Sequence, residues 1–142
     1  MRSILFGLIV LCVTFFASCS KDDDSSSSDP TTITNQISNS GNWRVALFSE
    51  DGVDETSYFN GYTFAFNSGS SVIATKSGSS ITGSWVVIQD SGKNKLVLAF
   101  PDQGKFEEIS EDWEILTQTD NNINLRHVSG GNGGTDLLNF VK

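Results

Sequence analysis

From Gly41 onward, apolar residues recur at every second position, in short runs separated by Gly, Asn, Asp and Ser, and a period of two is the mark of half-buried β-strands. Trp43, Val45 and Leu47 alternate with Arg44 and Ala46, and Tyr62, Phe64 and Phe66 alternate with Thr63 and Ala65. Val72 and Ala74 follow the turn Asn67-Ser68-Gly69; next come Ile81, Trp85 and Val87, then Leu96, Leu98 and Phe100 after Ser91-Gly92-Lys93-Asn94. Trp113 with Ile115, Ile123 with Leu125, and Leu138 with Phe140 supply the last three strands. Short strands joined by tight polar turns predict an all-β antiparallel meander, in a sandwich or a closed barrel. Two longer interruptions, Glu50 to Asn60 and Pro101 to Asp112, are short and acidic. The first has room for a helical turn near Thr56 to Phe59, and the second holds Phe106 and Ile109 at helical spacing. Both are expected to cap the barrel ends.

Ahead of this domain, Met1-Arg2 is a minimal positive start, and Ile4 to Phe16 is an apolar run of about thirteen residues broken only by Gly7 and Thr14. A bilayer-spanning helix needs roughly twenty apolar residues, so the run reads as a cleaved leader, with an uncleaved anchor as the alternative. Phe16-Ala17-Ser18-Cys19 resembles the lipobox of bacterial lipoproteins, in which a bulky apolar residue and two small ones precede a cysteine; Phe16 replaces the more usual leucine. The resemblance implies residues 1–18 as a signal peptide, lipid attachment at Cys19 through a diacylglycerol thioether, and a membrane as the first partner. Several acyl chains hold a protein firmly where one binds only marginally. From Ser20 to about Ser40 almost nothing is apolar except Ile33 and Ile37, so residues 19–40 are expected to form a flexible acidic, Ser-rich tether. Lys21-Asp22-Asp23-Asp24 resembles the signal that sends lipoproteins to the outer face of the outer membrane in one Gram-negative group. That resemblance implies a cell-surface position, the periplasmic face being the alternative.

Gly41-Asn42-Trp43 at the entrance of the first strand resembles the glycine-x-tryptophan signature of lipocalins, and Thr119-Asp120 sits between the sixth and seventh strands as a threonine-aspartate pair does in that family. The spacing Phe59-x-Gly61-Tyr62-x-Phe64-x-Phe66, then Gly83-x-Trp85, then Asp112-Trp113-Glu114 is similar to small lipocalin-like bacterial lipoproteins. The resemblance covers 41–142. It implies an antiparallel eight-stranded up-and-down lipocalin-like barrel, with short helical turns between strands 1 and 2 and between strands 5 and 6. It also implies a small apolar ligand, and a cation over Trp43, for which Arg126 and Lys142 are both candidates.

Strands of about seven residues tilted by about 40° make a barrel nearer 18 Å tall than 23 Å, a shallow cup. An eight-stranded barrel is only just wide enough to be filled by side chains. Trp43, Phe64, Phe66, Trp85, Leu98, Phe100, Trp113 and Phe140 are the candidate ligand-lining or core residues, and their bulk favours a packed core over an open calyx.

Chemistry is sparse. A formal net charge of -8 excludes nucleic acid as a partner. Both cysteines, Cys12 and Cys19, precede the domain, which therefore has no thiolate to offer. The single histidine, His127, shares a parity with Ile123 and Leu125 and is placed near a barrel end, and no Gly-x-Ser-x-Gly elbow supplies a serine for it. A zinc site would have to be mostly carboxylate, so no metal and no other cofactor is expected. Asp120-x-Asn122-x-Asn124 copies the start of a calcium loop but lacks its glycine and closing glutamate. Ser129-Gly130-Gly131-Asn132-Gly133-Gly134 lacks the lysine and helix of a phosphate loop and reads as a hairpin turn. Acidic residues gather at Glu50, Asp51, Asp54 and Glu55 and again from Glu107 to Glu114, as a solvated rim. The expected function is non-enzymatic binding of a small apolar ligand or a protein partner. The alternative is a module docking through outward residues such as Val86, Ile88, Val97 and Leu116. A cleft bringing His127 against carboxylates would reopen the enzyme reading.

Overall fold

The computed structural model describes residues 28–129 and 133–142. The signal peptide, Cys19 and the tether as far as residue 27 lie outside the described residues, as do Gly130, Gly131 and Asn132 of the glycine turn. Helix α1 (Pro30–Asn39) leads into β1 (Asn42–Glu50), a two-residue return strand β2 (Val53–Asp54) and a single 3-10 turn at Thr56–Phe59. There follow β3 (Thr63–Phe66), β4 (Ser71–Lys76), β5 (Ser79–Asp90), β6 (Lys93–Ala99), helix α2 (Lys105–Glu108), β7 (Asp112–Gln118), β8 (Asn122–Val128) and β9 (Thr135–Val141). All pairings are antiparallel: β3 to β9 pair in sequence order, β1 pairs with β2 and β3, and β1 also pairs with β9 to close the sheet. With β2 only a spur on the end of β1, the architecture is the eight-stranded up-and-down lipocalin-like barrel.

Local chemistry makes the meander. Asp51-Gly52, Ser77-Gly78 and Ser91-Gly92 each place two successive residues at positive φ, between 48° and 83°. These are the turns whose twist matches that of paired strands, and glycine at the second position takes the conformation without steric cost. Two bulges adjust what faces inward. In β1 the register shifts between Val45 and Leu47, so Phe48 is buried where strict alternation would have turned Leu47 inward. In β7 a shift between Ile115 and Thr117 leaves Leu116 exposed on the wall.

Trp43, Phe64, Phe66, Trp85, Leu98, Trp113 and Phe140 are all buried in one contiguous core. Phe100 departs from that set. It lies just past β6, half-buried, with its ring against Gly83, where a Cβ would come within 2.5 Å of the Ala99 carbonyl oxygen and 2.7 Å of the ring. Gly83 is therefore the seat of an aromatic ring and not a simple weak point of β5.

One expectation needs correction. Residues 30–39, read as the last part of the tether, form α1 and close one end of the barrel. Ile33 and Ile37 share a helix face at i and i+4, and both are buried in the core. The Trp43 indole Nε1 donates to the Ile37 carbonyl at 3.3 Å, and the Lys142 ammonium sits 5.2 Å over the same indole. Full burial of an isoleucine contributes about 1.5–3 kcal/mol, and the barrel mouth supplies the apolar surface that the segment lacks on its own. Lys142, not Arg126, is thus the cation over Trp43; Arg126 is paired with Glu114 at 2.8 Å.

The two acidic interruptions meet at the opposite end and do not divide the ends between them. Phe59 from the 3-10 turn packs edge-on against Phe48 (5.6 Å) and against Phe106 of α2 (5.5 Å), and Phe106 reaches Phe100 at 5.0 Å. Lys105 ties the two segments together by pairing with Glu50 at 3.1 Å and with Glu55. Those bonds, Glu55 first, raise the lysine pKa above its ordinary value.

Two substitutions test this packing. Ile37→Ala should lower unfolding stability by about 3 kcal/mol in urea or thermal denaturation, since it empties the plug of one barrel end. A melting point equal to the parent's would restore the tether reading. Gly83→Ala should cost about 1–3 kcal/mol by overpacking against Ala99 and Phe100, and a neutral result would show that the ring does not rest there.

Candidate functional site

The inward side chains of the described residues are buried in one contiguous cluster. Three concavities are open at the surface, and no ring of the core lines any of them. One of about 430 Å³ lies over β5 to β8 and is bordered by Asp90, Lys95, Asp112, Glu114, Arg126 and His127, among others. A second of about 500 Å³ lies between Ser28 and Ile33 on one side and the outer side of β7 around Leu116 on the other.

The wall beneath the first concavity is built by register. Ile88 pairs with Lys95, Lys95 with Glu114, and Glu114 with Arg126, which makes one row across four strands. Side chains in such a row stand close enough for charges to pair. Lys95 bonds Asp112 at 2.5 Å and Asp90 at 3.0 Å, while Glu114 receives Arg126 at 2.8 Å and Lys93 at 3.0 Å. The Arg126 bond, then the Lys93 bond, holds the Glu114 carboxyl below its ordinary pKa, and the Lys95 bond does the same for Asp90. Beside this network Val86, Ile88 and Leu116 are 45%, 38% and 45% exposed, and Val97 is half-buried. The outward apolar residues anticipated on the sequence therefore share one wall, framed by alternating charges.

The rim of this wall holds a second arrangement. His127, at the end of β8, pairs in register with Asp136 near the start of β9. Its Nδ1 lies 3.7 Å from Asp136 Oδ2, and its Nε2 lies 3.7 Å from Asp112 Oδ1 and 3.9 Å from Glu111 Oε2. The imidazole is 18% exposed and makes an edge contact with the Trp113 ring at 5.9 Å. Asp136 is fixed in turn: it accepts from the Asp51 backbone N–H at 2.9 Å and from the Ser129 hydroxyl at 3.4 Å. The donors of Glu111, Asp112 and His127 lie within 4.8 Å of one another.

His127 is thus set against carboxylates, the condition named for reconsidering catalysis, and the order of the groups decides what they can do. In a nucleophilic triad the imidazole stands between serine and acid so that it takes the serine proton. Here Asp136 stands between Ser129 and the ring, and among the described residues no serine is hydrogen-bonded to Nε2. By contrast, Asn122 and Asn124 lie in β8 as extended strand, and Asn124 donates to Thr117 Oγ1 at 2.8 Å, so the calcium-loop pattern around Asp120 is not a loop. The neighbours of His127 were missed in the sequence because they come from two other segments, the start of β7 and the start of β9. Counting equal steps outward from the glycine turn would have paired His127 with Asp136; nothing in the spacing would have brought in Glu111 and Asp112.

No protein-family model matches the chain, and no curated protein compared with it matches. Among solved structures, the crystal structure of a DUF4847 family protein from Bacteroides vulgatus is similar, with a TM-score of 0.51 at 14% identity, over 75% of this chain and 95% of that one. At that identity the likeness concerns the fold alone, and it agrees with the eight-stranded antiparallel barrel.

Proposed function

We propose that this chain is a non-enzymatic interaction module, anchored to the outer membrane by lipid on Cys19 and facing the cell surface, that meets a protein partner through the outer wall of its barrel. The observation that carries the outer-wall reading is the filled interior: Trp43, Phe48, Phe59, Phe64, Trp113 and Phe140 occupy the space a ligand would need, each no more than 2% exposed. α1 covers one end with Ile33 and Ile37, and the Phe59–Phe106 contact lies across the other. Small apolar ligands are held in concave pockets that bury most of their surface. The wall of β5 to β7 is instead broad, with Val86, Ile88 and Leu116 exposed between paired charges, a mixture that suits a protein surface. The anchor rests on Phe16-Ala17-Ser18-Cys19 and the acidic run after it.

Three measurements test the reading. A fluorescent fatty acid titrated into the purified protein should show no saturable binding, and one-to-one binding displaced by lipid extract would replace the proposal with a calyx. In living cells, Val86→Glu with Leu116→Glu should abolish a specific crosslinked species while leaving the melting temperature unchanged, whereas Val53→Glu at the distant β2 spur should leave it intact. Loss in both variants, or in neither, would move the contact away from this wall. Cys19→Ala should release the protein from the membrane and remove the acyl mass from the intact chain; an unmodified sulfur in the parent would discard the anchor.

A further inference from the structure

We infer that Glu111, Asp112 and His127 form a binding site for a divalent transition-metal ion of the zinc class, with Asp136 orienting the imidazole from behind. The argument begins with distances. At 3.7–3.9 Å the ring nitrogens are beyond hydrogen-bond reach of all three carboxylates, at separations that a cation placed between the donors would bridge. Ligands about 2.0–2.1 Å from one tetrahedral ion stand about 3.4 Å apart. Each oxygen is therefore within about half an ångström of that separation from Nε2, and all three donors lie within 4.8 Å of one another. Both side chains are 46% exposed and have the freedom to close that gap.

The surroundings supply what such a site requires. A ligating imidazole characteristically donates its other nitrogen's proton to a carboxylate, which fixes the ring and the tautomer. Asp136 faces Nδ1 and is itself held by the Asp51 N–H and the Ser129 hydroxyl. Trp113 packs against the ring, so His127 cannot swing away freely. The choice of ion follows from the donor set: calcium and magnesium take oxygen ligands, whereas imidazole nitrogen suits zinc, nickel and copper. Lys95 engages the far oxygen of Asp112 and leaves Oδ1 facing the ring. With three protein donors, two of them half-exposed, the fourth position opens to solvent, as it does where a metal retains a water or accepts an outside ligand.

The sequence contains a single histidine, which makes the test unambiguous. The full-length, detergent-extracted protein, stripped with chelator, is titrated with zinc and separately with calcium by calorimetry. One zinc per chain at micromolar affinity is expected, with no calcium uptake at that site. Zinc should shift Nε2 of the ¹⁵N-labelled imidazole into the ligated range while Nδ1 remains protonated. His127→Gln should abolish that uptake, and Glu111→Gln, at an exposed position that cannot threaten the fold, should weaken it at least tenfold. Asp136→Asn should weaken it about 10–100-fold through the ring orientation alone. Imidazole resonances unmoved by zinc, or zinc uptake by folded Glu111→Gln and His127→Gln equal to the parent's, would overturn the site.

Discussion

The structure depends on aromatic rings meeting edge to face along the axis of a barrel that no disulfide braces. Phe64 contacts Phe140 at 5.3 Å and Phe100 at 6.2 Å, and Phe66 bridges Phe140 at 5.6 Å and Trp85 at 5.3 Å. Edge-to-face pairs add about 0.5–1.5 kcal/mol each beyond the area they bury. From Gly41 onward the chain has no cysteine, so no disulfide limits the unfolded state. The closing pair of strands, β1 with β9, sets Val45 opposite Phe140 and Phe48 opposite Leu138, bringing the first and last inward residues into the same cluster. Closure and filling are thus one event.

A filled axis explains the treatment of the ends. An eight-stranded barrel left open would expose the margins of its core, and both ends are sealed by segments that carry their own apolar residues. α1 brings Ile33 and Ile37 under Trp43; the 3-10 turn and α2 bring Phe59, Phe106 and Ile109 over Phe48 and Phe64. Trp113 and Ser110 tie the second cap down, through Nε1 to the Ile109 carbonyl at 3.0 Å and through Oγ to the Phe106 carbonyl at 2.6 Å. Polar chemistry is consequently confined to the outer wall and rims, where the ion-pair rows of β5 to β8 and the His127 group are found.

The strands were legible because a two-residue period is a local property: Trp43, Phe64, Trp85, Leu98, Trp113, Leu125 and Phe140 could be assigned to the inside without knowing the fold. Positions that depend on a bulge were not. Leu47 and Phe48 are adjacent apolar residues, and only the shift in the β1–β9 register decides which is buried. The helix over residues 30–39 was missed for a different reason. Two isoleucines among polar residues cannot order a segment alone, and the surface that orders them is made by residues far along the chain. The same non-locality hid the His127 neighbours, which converge through the register of β7, β8 and β9.

Xenon tests the central claim directly, because it enters apolar voids and leaves filled ones empty. Crystals of the protein pressurised with xenon should show no site on the barrel axis between Trp43, Phe64 and Phe140. A well-occupied xenon atom among those rings would mean that the barrel holds an apolar cavity, and the account of a filled core working from its outer wall would be wrong.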